Sequence, residues 1–262
     1  MCLRLLIAGL FLVAPIAQPA GQCQLPEQHY RVGTEALDFF PHYNFSGEGV
    51  AGYGNQVLER FAEFAGIELT FKALPVKRLY HEIDRMVDAV YPDHPRWVQY
   101  QGVAPDRAFS LPVATAVGIA WSRASTPELE TSQVRSLAII HGFTPIAWFG
   151  IRDRYPFRII EVPDAKTALR LLLSGRVDAV DLEYNVARYQ FQQMEAMTGA
   201  VVAERLPYTL GQYHLSSANR PELIRCFDQF LKQHQQELAE LKATFGLIET
   251  LPFVQNTSQD LQ

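Results

Sequence analysis

Val87-Asp88-Ala89-Val90 and Val177-Asp178-Ala179-Val180 are one tetrapeptide written twice, and each copy follows a helix-like stretch, at 76–83 and at 165–173. A chain that uses the same helix-to-strand device twice reads as two similar α/β lobes. Two such lobes, joined by two crossover hinge strands, suggest a ligand cleft that closes on a small molecule.

Working outward from the repeat, short apolar strands alternate with helical stretches, which fits an α/β chain. Residues 31–35 read as the first strand. A loop rich in Pro, Gly and aromatics follows at 39–53, and then a helix near 55–65 with Val57, Leu58, Phe61, Ala62 and Ala65 on one face. Gly66 fits its C-terminal cap. A strand at 67–71, a helix at 76–83 and a strand at 87–91 complete the first plan. Residues 113–121 carry the chain out of this lobe. The second lobe repeats the scheme: a strand at 137–140, a turn at His141-Gly142-Phe143-Thr144 into a helix, a strand at 158–162, a helix at 165–174 and a strand at 177–180. A helix near 184–197 and a strand at 201–206 follow, residues 208–216 return the chain, and 221–245 add helices. The expected division is lobe 1 over 23–120 and 210–250, lobe 2 over 121–209, and a loose tail at 251–262.

Residues 1–22 read as a signal peptide, with Arg4 as a sparse positive region, an apolar run at 5–14, and small residues at Ala17 and Ala20 suited to cleavage. The run is about ten residues, against the roughly 20 that a membrane-spanning helix needs. A lipid anchor would use Cys23, but Gln22 stands where a small residue is required. The expected location is therefore periplasmic. With 23 basic and 28 acidic residues and no basic cluster, nucleic acid is a poor partner. Of three cysteines, Cys2 leaves with the leader, and Cys23 and Cys226 remain to form one disulfide.

The order of elements resembles the family 3 extracellular solute-binding proteins, which have the type II periplasmic binding-protein fold. The matching segments are Arg31-Val32-Gly33-Thr34, the stretch 47–54 leading into a helix, and Phe109-Ser110-Leu111-Pro112. Ser174-Gly175-Arg176-Val177-Asp178-Ala179-Val180, Arg220-Pro221-Glu222-Leu223 and Thr244-Phe245-Gly246-Leu247 complete them.

The resemblance implies a monomeric binder that holds an amino acid or a related amine or carboxylate between its lobes. It also implies a membrane permease of the ABC type, or a receptor, as partner. It places the stacking aromatic at Phe40, with Tyr43 in the same loop, and the amino-binding acid at Glu183, with Asp181 as a rival. The helix-start turn brings His141 and Thr144 to an anion. The carboxylate clamp falls at Arg96, within Asp93-His94-Pro95-Arg96-Trp97, or at Arg107. That loop departs from the family pattern and reads as a rebuilt pocket, in which Asp93 and Trp97 would suit a cation.

Catalytic and metal motifs are missing from the sequence: there is no His-Glu-x-x-His, no Cys-x-x-Cys, no Gly-x-Ser-x-Gly and no phosphate loop. The reading is a binder with no cofactor and no metal. The alternatives are a ligand-sensing module for a membrane receptor, and a lyase such as cyclohexadienyl dehydratase, which shares the fold, with Asp93, His94 and Glu183 as acid and base.

Overall fold

The computed structural model describes residues 23–100, 102 and 106–254; the expected leader and the end of the expected tail lie outside them. The chain opens with β1 (His29–Glu35), β2 (Asp38–Phe39), β3 (Tyr43–Asn44), α1 (Tyr53–Ala65), β4 (Glu68–Leu74) and α2 (Val76–Met86). Then come β5 (Ala89–Asp93), α3 (Pro95–Tyr100), β6 (Ala108–Phe109) and β7 (Ala114–Arg123). The second half runs through β8 (Ser136–Ile140), α4 (Phe149–Arg152), β9 (Arg158–Val162), α5 (Ala165–Leu173), β10 (Ala179–Glu183), α6 (Tyr184–Gln193) and β11 (Ala200–Val202). β12 (Thr209–Ser217), α7 (Pro221–Gln233) and α8 (Gln235–Thr244) end the ordered path.

The strands follow the order β4-β1-β5-β12-β7-β10-β8-β9. β1 pairs in parallel with β4 and β5, and β8 pairs in parallel with β9 and β10. Each half therefore has its first strand between its second and third. The two halves are one plan used twice, as the repeated tetrapeptide predicts. In such sheets the ligand crevice lies beyond the carboxyl ends of the strands, where the strand order reverses. β7 and β12 join the halves as an antiparallel pair, with Thr209 opposite Gly118 and Tyr213 opposite Ala114. β7 continues against β10, and β12 against β5. These are the two crossover strands.

The repeated Asp has a structural explanation. The Asp88 carboxylate accepts from the Arg31 backbone N–H at 2.8 Å, and Asp178 accepts from the N–H groups of Arg135 and Ser136 at 3.0 and 2.9 Å. Each carboxylate thus satisfies donors at the start of the neighbouring parallel strand, where the ladder has not yet begun. This also explains why β5 and β10 each begin two residues later than the apolar pattern predicts.

Three local differences have clear causes. The residues after Asp93, read as a loop, contain α3, with Pro95 at its first position, where its missing N–H costs nothing. The helix expected after the His141 turn shrinks to a 3₁₀ turn at Ile146–Trp148 and the single turn α4, which contains Gly150. β11 is shorter than expected, because the chain turns at Ala203, whose carbonyl accepts from the Leu206 N–H.

α1 packs on α7 through Phe61 and Phe227, whose ring centroids are 4.9 Å apart. Cys226 is buried in α7 and forms the expected disulfide with Cys23. Leu251 and Val254 are also buried, so the chain stays packed four residues into the expected tail. Among the described residues, no helix is long and apolar enough to cross a membrane. Cys226→Ser should lower the unfolding free energy by about 4–5 kcal/mol, because the bridge closes a very long loop in the unfolded chain. Denaturant unfolding of the oxidised protein and the variant measures this directly.

Candidate ligand-binding cleft

The carboxyl ends of β1, β5, β8 and β10 converge on a cavity of about 130 Å³ between the halves. The first half contributes Glu35 at the end of β1, Phe39, Tyr43, Tyr80 from α2, His94, and Arg96 and Trp97 from α3. The second half contributes the turn from Gly142 to Ile146 and the β10 residues Asp181, Leu182 and Glu183. Gly118 and Gly211 of the crossover strands also line it.

Two carboxyl groups dominate its electrostatics. Burial pushes Glu35 up from 4.5 to about 7, against a short hydrogen bond donated by the Tyr43 hydroxyl and with a smaller upward push from Asp93. Burial alone pushes Asp181 up from 3.8 to about 7, and its carboxylate accepts no hydrogen bond among the described residues. His94 is pushed down to about 4 by burial and by the nearby His214 and Arg96, so at neutral pH it is uncharged. The Arg96 guanidinium makes no hydrogen bond or ion pair among the described residues. The cavity thus presents two carboxyl groups and one guanidinium with unused hydrogen-bonding capacity among the described residues.

Of the residues expected from the sequence, Tyr43, Arg96, Trp97, Thr144 and Glu183 line the cavity, and Phe40, Asp93 and His141 do not. Phe40 packs instead on Tyr189 and Phe245, at 4.5 and 5.8 Å between centroids. Its neighbour Phe39 faces the cavity, 5.5 Å from Phe143. Asp93 is fully buried behind the wall. It accepts from the hydroxyls of Ser216 and Tyr80 and from the His94 N–H, and pairs with Arg107 at 3.6 Å. Arg107 is thereby committed to Asp93. His141 sits at the rim, where it pairs with Glu161, and Lys77 of the opposite half reaches the same carboxylate at 3.1 Å.

Glu183 lines the cavity, yet its oxygens are already engaged. They accept from the Val186 N–H at the start of α6 and from the Asn185 amide at 2.9 Å each, and from the Val117 N–H at 3.3 Å, with His42 Nε2 at 3.1 Å. A carboxylate so fully occupied caps α6 and ties it to β7. Asp181, two residues earlier on β10, holds the free acid. Glu35 was missed by residue-type reasoning, although its place at the carboxyl end of the first parallel strand was a usable signal.

The halves touch across the cleft. Phe39 meets Phe143, and Tyr100 meets Phe149 at 5.3 Å. Gly142 has φ of +92°, and a Cβ there would lie 2.8 Å from Val76 Cβ on the opposite half.

No family model matches the sequence, and no curated protein matches it. Solved structures do match. An ancestral arginine-binding protein bound to arginine has a TM-score of 0.68 at 16% identity, over 84% of this chain and 98% of that one. A substrate-binding protein of an ABC uptake transporter from Streptococcus pneumoniae, with bound histidine, has a TM-score of 0.69 at 13% identity, over 83% and 92%. A histidine kinase sensor domain with similarity to periplasmic binding proteins has a TM-score of 0.68 at 16% identity, over 83% and 96%. The chain has the bilobal periplasmic binding-protein fold.

Gly142→Ala should prop the cleft open and raise the Kd of a cleft ligand about tenfold or more while leaving the fold intact, which calorimetry and circular dichroism test together. Stability should also depend on pH through Glu35. Its folded pKa is raised, so its contribution is complete below the ordinary carboxylate pKa and is lost as pH rises through about 7. Glu35→Gln should therefore stabilise the empty protein by about 3 kcal/mol near pH 8 and about 1 kcal/mol near pH 5, measured by denaturant unfolding at both pH values.

Proposed function

We propose that this chain is a periplasmic solute-binding protein that captures a small amino acid or related amine between its lobes and delivers it to an ABC-type importer. The observation that carries the reading is the cavity between the lobes with Asp181 on one lobe and the Arg96 guanidinium on the other, both side chains without partners among the described residues. An ammonium on the ligand would donate charge-assisted hydrogen bonds to Asp181, and a carboxylate would accept from the Arg96 fork. Thr144 and the backbone of its turn lie beside the same space. Trp97, Phe39 and Tyr213 supply ring faces for a cation or an alkyl chain.

Binding energy from both lobes would favour the closed state, with motion about β7 and β12. Amino-acid-binding proteins among the structural neighbours support this chemistry. The sensor-domain neighbour supports a second reading, in which the same capture reports to a membrane receptor. The cleft chemistry is common to both, and the partner differs.

Thermal unfolding against a panel of amino acids, amines and small carboxylates tests the reading. A true ligand at a hundred times its Kd adds about 2.7 kcal/mol of stability, and absence of any shift across the panel would overturn it. With a ligand in hand, Asp181→Asn should weaken binding by about 2–5 kcal/mol, and Arg96→Ala should act similarly on a carboxylate ligand. Recovery of the ligand unchanged after incubation would separate a binder from a lyase.

A further inference from the structure

We propose that this chain pairs with a second copy of itself along β4, through an antiparallel strand pair centred on Thr70 that joins the two sheets into one. This goes beyond ligand capture, and it departs from the monomer that the resemblance implies.

The first argument is an open edge. β4 is the outermost strand of the first half and pairs with β1 alone. The Glu68 N–H donates to the Gln28 carbonyl, and the Leu74 carbonyl accepts from the Ala36 N–H, so residues 68 and 74 turn their backbone groups toward β1. Backbone direction alternates from residue to residue along a strand. The N–H and C=O groups of Leu69, Phe71 and Ala73 therefore face outward, where no strand meets them among the described residues. Glu68, Thr70, Phe71 and Ala73 are exposed, as an uncovered edge requires. Such an edge is a template for another strand, and an antiparallel strand added at the rim of a parallel sheet is common.

The second argument is that this edge is complementary to itself. A twofold axis at Thr70 puts Glu68 opposite Lys72 of the second copy, Leu69 opposite Phe71, and Thr70 opposite Thr70. Leu69 and Phe71, whose backbone groups face outward, become the hydrogen-bonded pairs, and Glu68 with Lys72 falls at the positions where facing side chains come closest. Opposite charges, Thr with Thr, and an aromatic with an aliphatic are all favourable cross-strand pairs. Charges on an edge strand ordinarily keep other strands away. Here one acid and one base stand at equal distances from the centre, which turns a guard into a match. Lys72 meets Met86 Sγ at 3.6 Å and has no acid partner among the described residues, and Glu68 pairs only with the exposed His29 at 2.9 Å. Phe71 stands exposed beside Phe45, with ring centroids 5.2 Å apart, and a second copy would cover it. The other outer strand, β9, offers no such charge, because its Glu161 is held by Lys77 and His141. None of residues 68–73 lines the ligand cavity, so this pairing leaves the cleft free. A pairing centred on residues 68–72 covers little area, and the dimer should be weak, with a Kd of about 10–100 µM.

Sedimentation equilibrium of the purified protein from about 1 to about 500 µM tests the inference, at about 0.05 M salt, where exposed ion pairs are only lightly screened. The protein should pass from monomer to dimer across this range. Glu68→Lys and Lys72→Glu should each raise the dimer Kd about tenfold or more, because each sets like charges opposite one another at both ends of the pair. An equimolar mixture of the two variants should dimerise as the unaltered protein does, since a mixed pair has opposite charges at both ends. The chain carrying both substitutions should dimerise as well. Phe71→Asp, at an exposed site, should abolish association while circular dichroism shows the fold intact. A protein that stays monomeric throughout the range overturns the proposal. Dimers that survive both single variants overturn it too, as does a mixture no more associated than its components.

Discussion

Everything in this molecule is positioned by the antiparallel pairing of β7 with β12. Each strand begins in one lobe and ends in the other, so the hydrogen bonds between Gly118 and Thr209, and onward to Ala114 and Tyr213, are the covalent and hydrogen-bonded floor on which the lobes meet. A β-pair tolerates twisting far better than a change of register, because a one-residue slip would turn its side chains to the wrong face. The floor therefore holds the strand ends of the two lobes opposite each other. The small residues Gly118 and Gly211 keep that floor open beneath the cavity.

The same junction explains how the acidic groups divide their labour. Glu183 stands where the second lobe leaves the floor, and it holds the Val117 N–H, the start of α6, Asn185 and, with it, the Ile248 backbone. Asp93 closes the corresponding corner of the first lobe through Ser216 on β12 and through Arg107. Both are buried carboxylates satisfied by the protein. Glu35 and Asp181 line the cavity with fewer partners, and burial pushes both up to about 7.

Much of the fold was legible in the chain. The duplicated tetrapeptide, the alternation of strand and helix, and the two cysteines led to two matched α/β halves, two crossover strands and the Cys23–Cys226 bridge, all of which the structure contains. These features depend on short-range pattern and on residue type. α3 was not legible, because His94-Pro95 reads as a loop breaker unless the proline is seen at the first position of a helix.

The candidate site was legible only in part. The segments named from the chain, the aromatic loop after β1, the segment around Arg96, the turn at Gly142 and the end of β10, all border the cavity, because strand ends and helix starts are written in local sequence. The chain did not say which side chain of each segment faces the cavity. Phe39 rather than Phe40, and Asp181 rather than Glu183 as the free acid, were decided by strand pairing and by competition for hydrogen bonds from Asn185, Val117 and His42, residues far apart along the chain. Sequence by itself determined the lobes, their connection and the chemical types brought to the cleft. Tertiary structure alone decided which charges the protein neutralises and which it leaves for a ligand, because a carboxylate's availability depends on donors that only folding brings within reach.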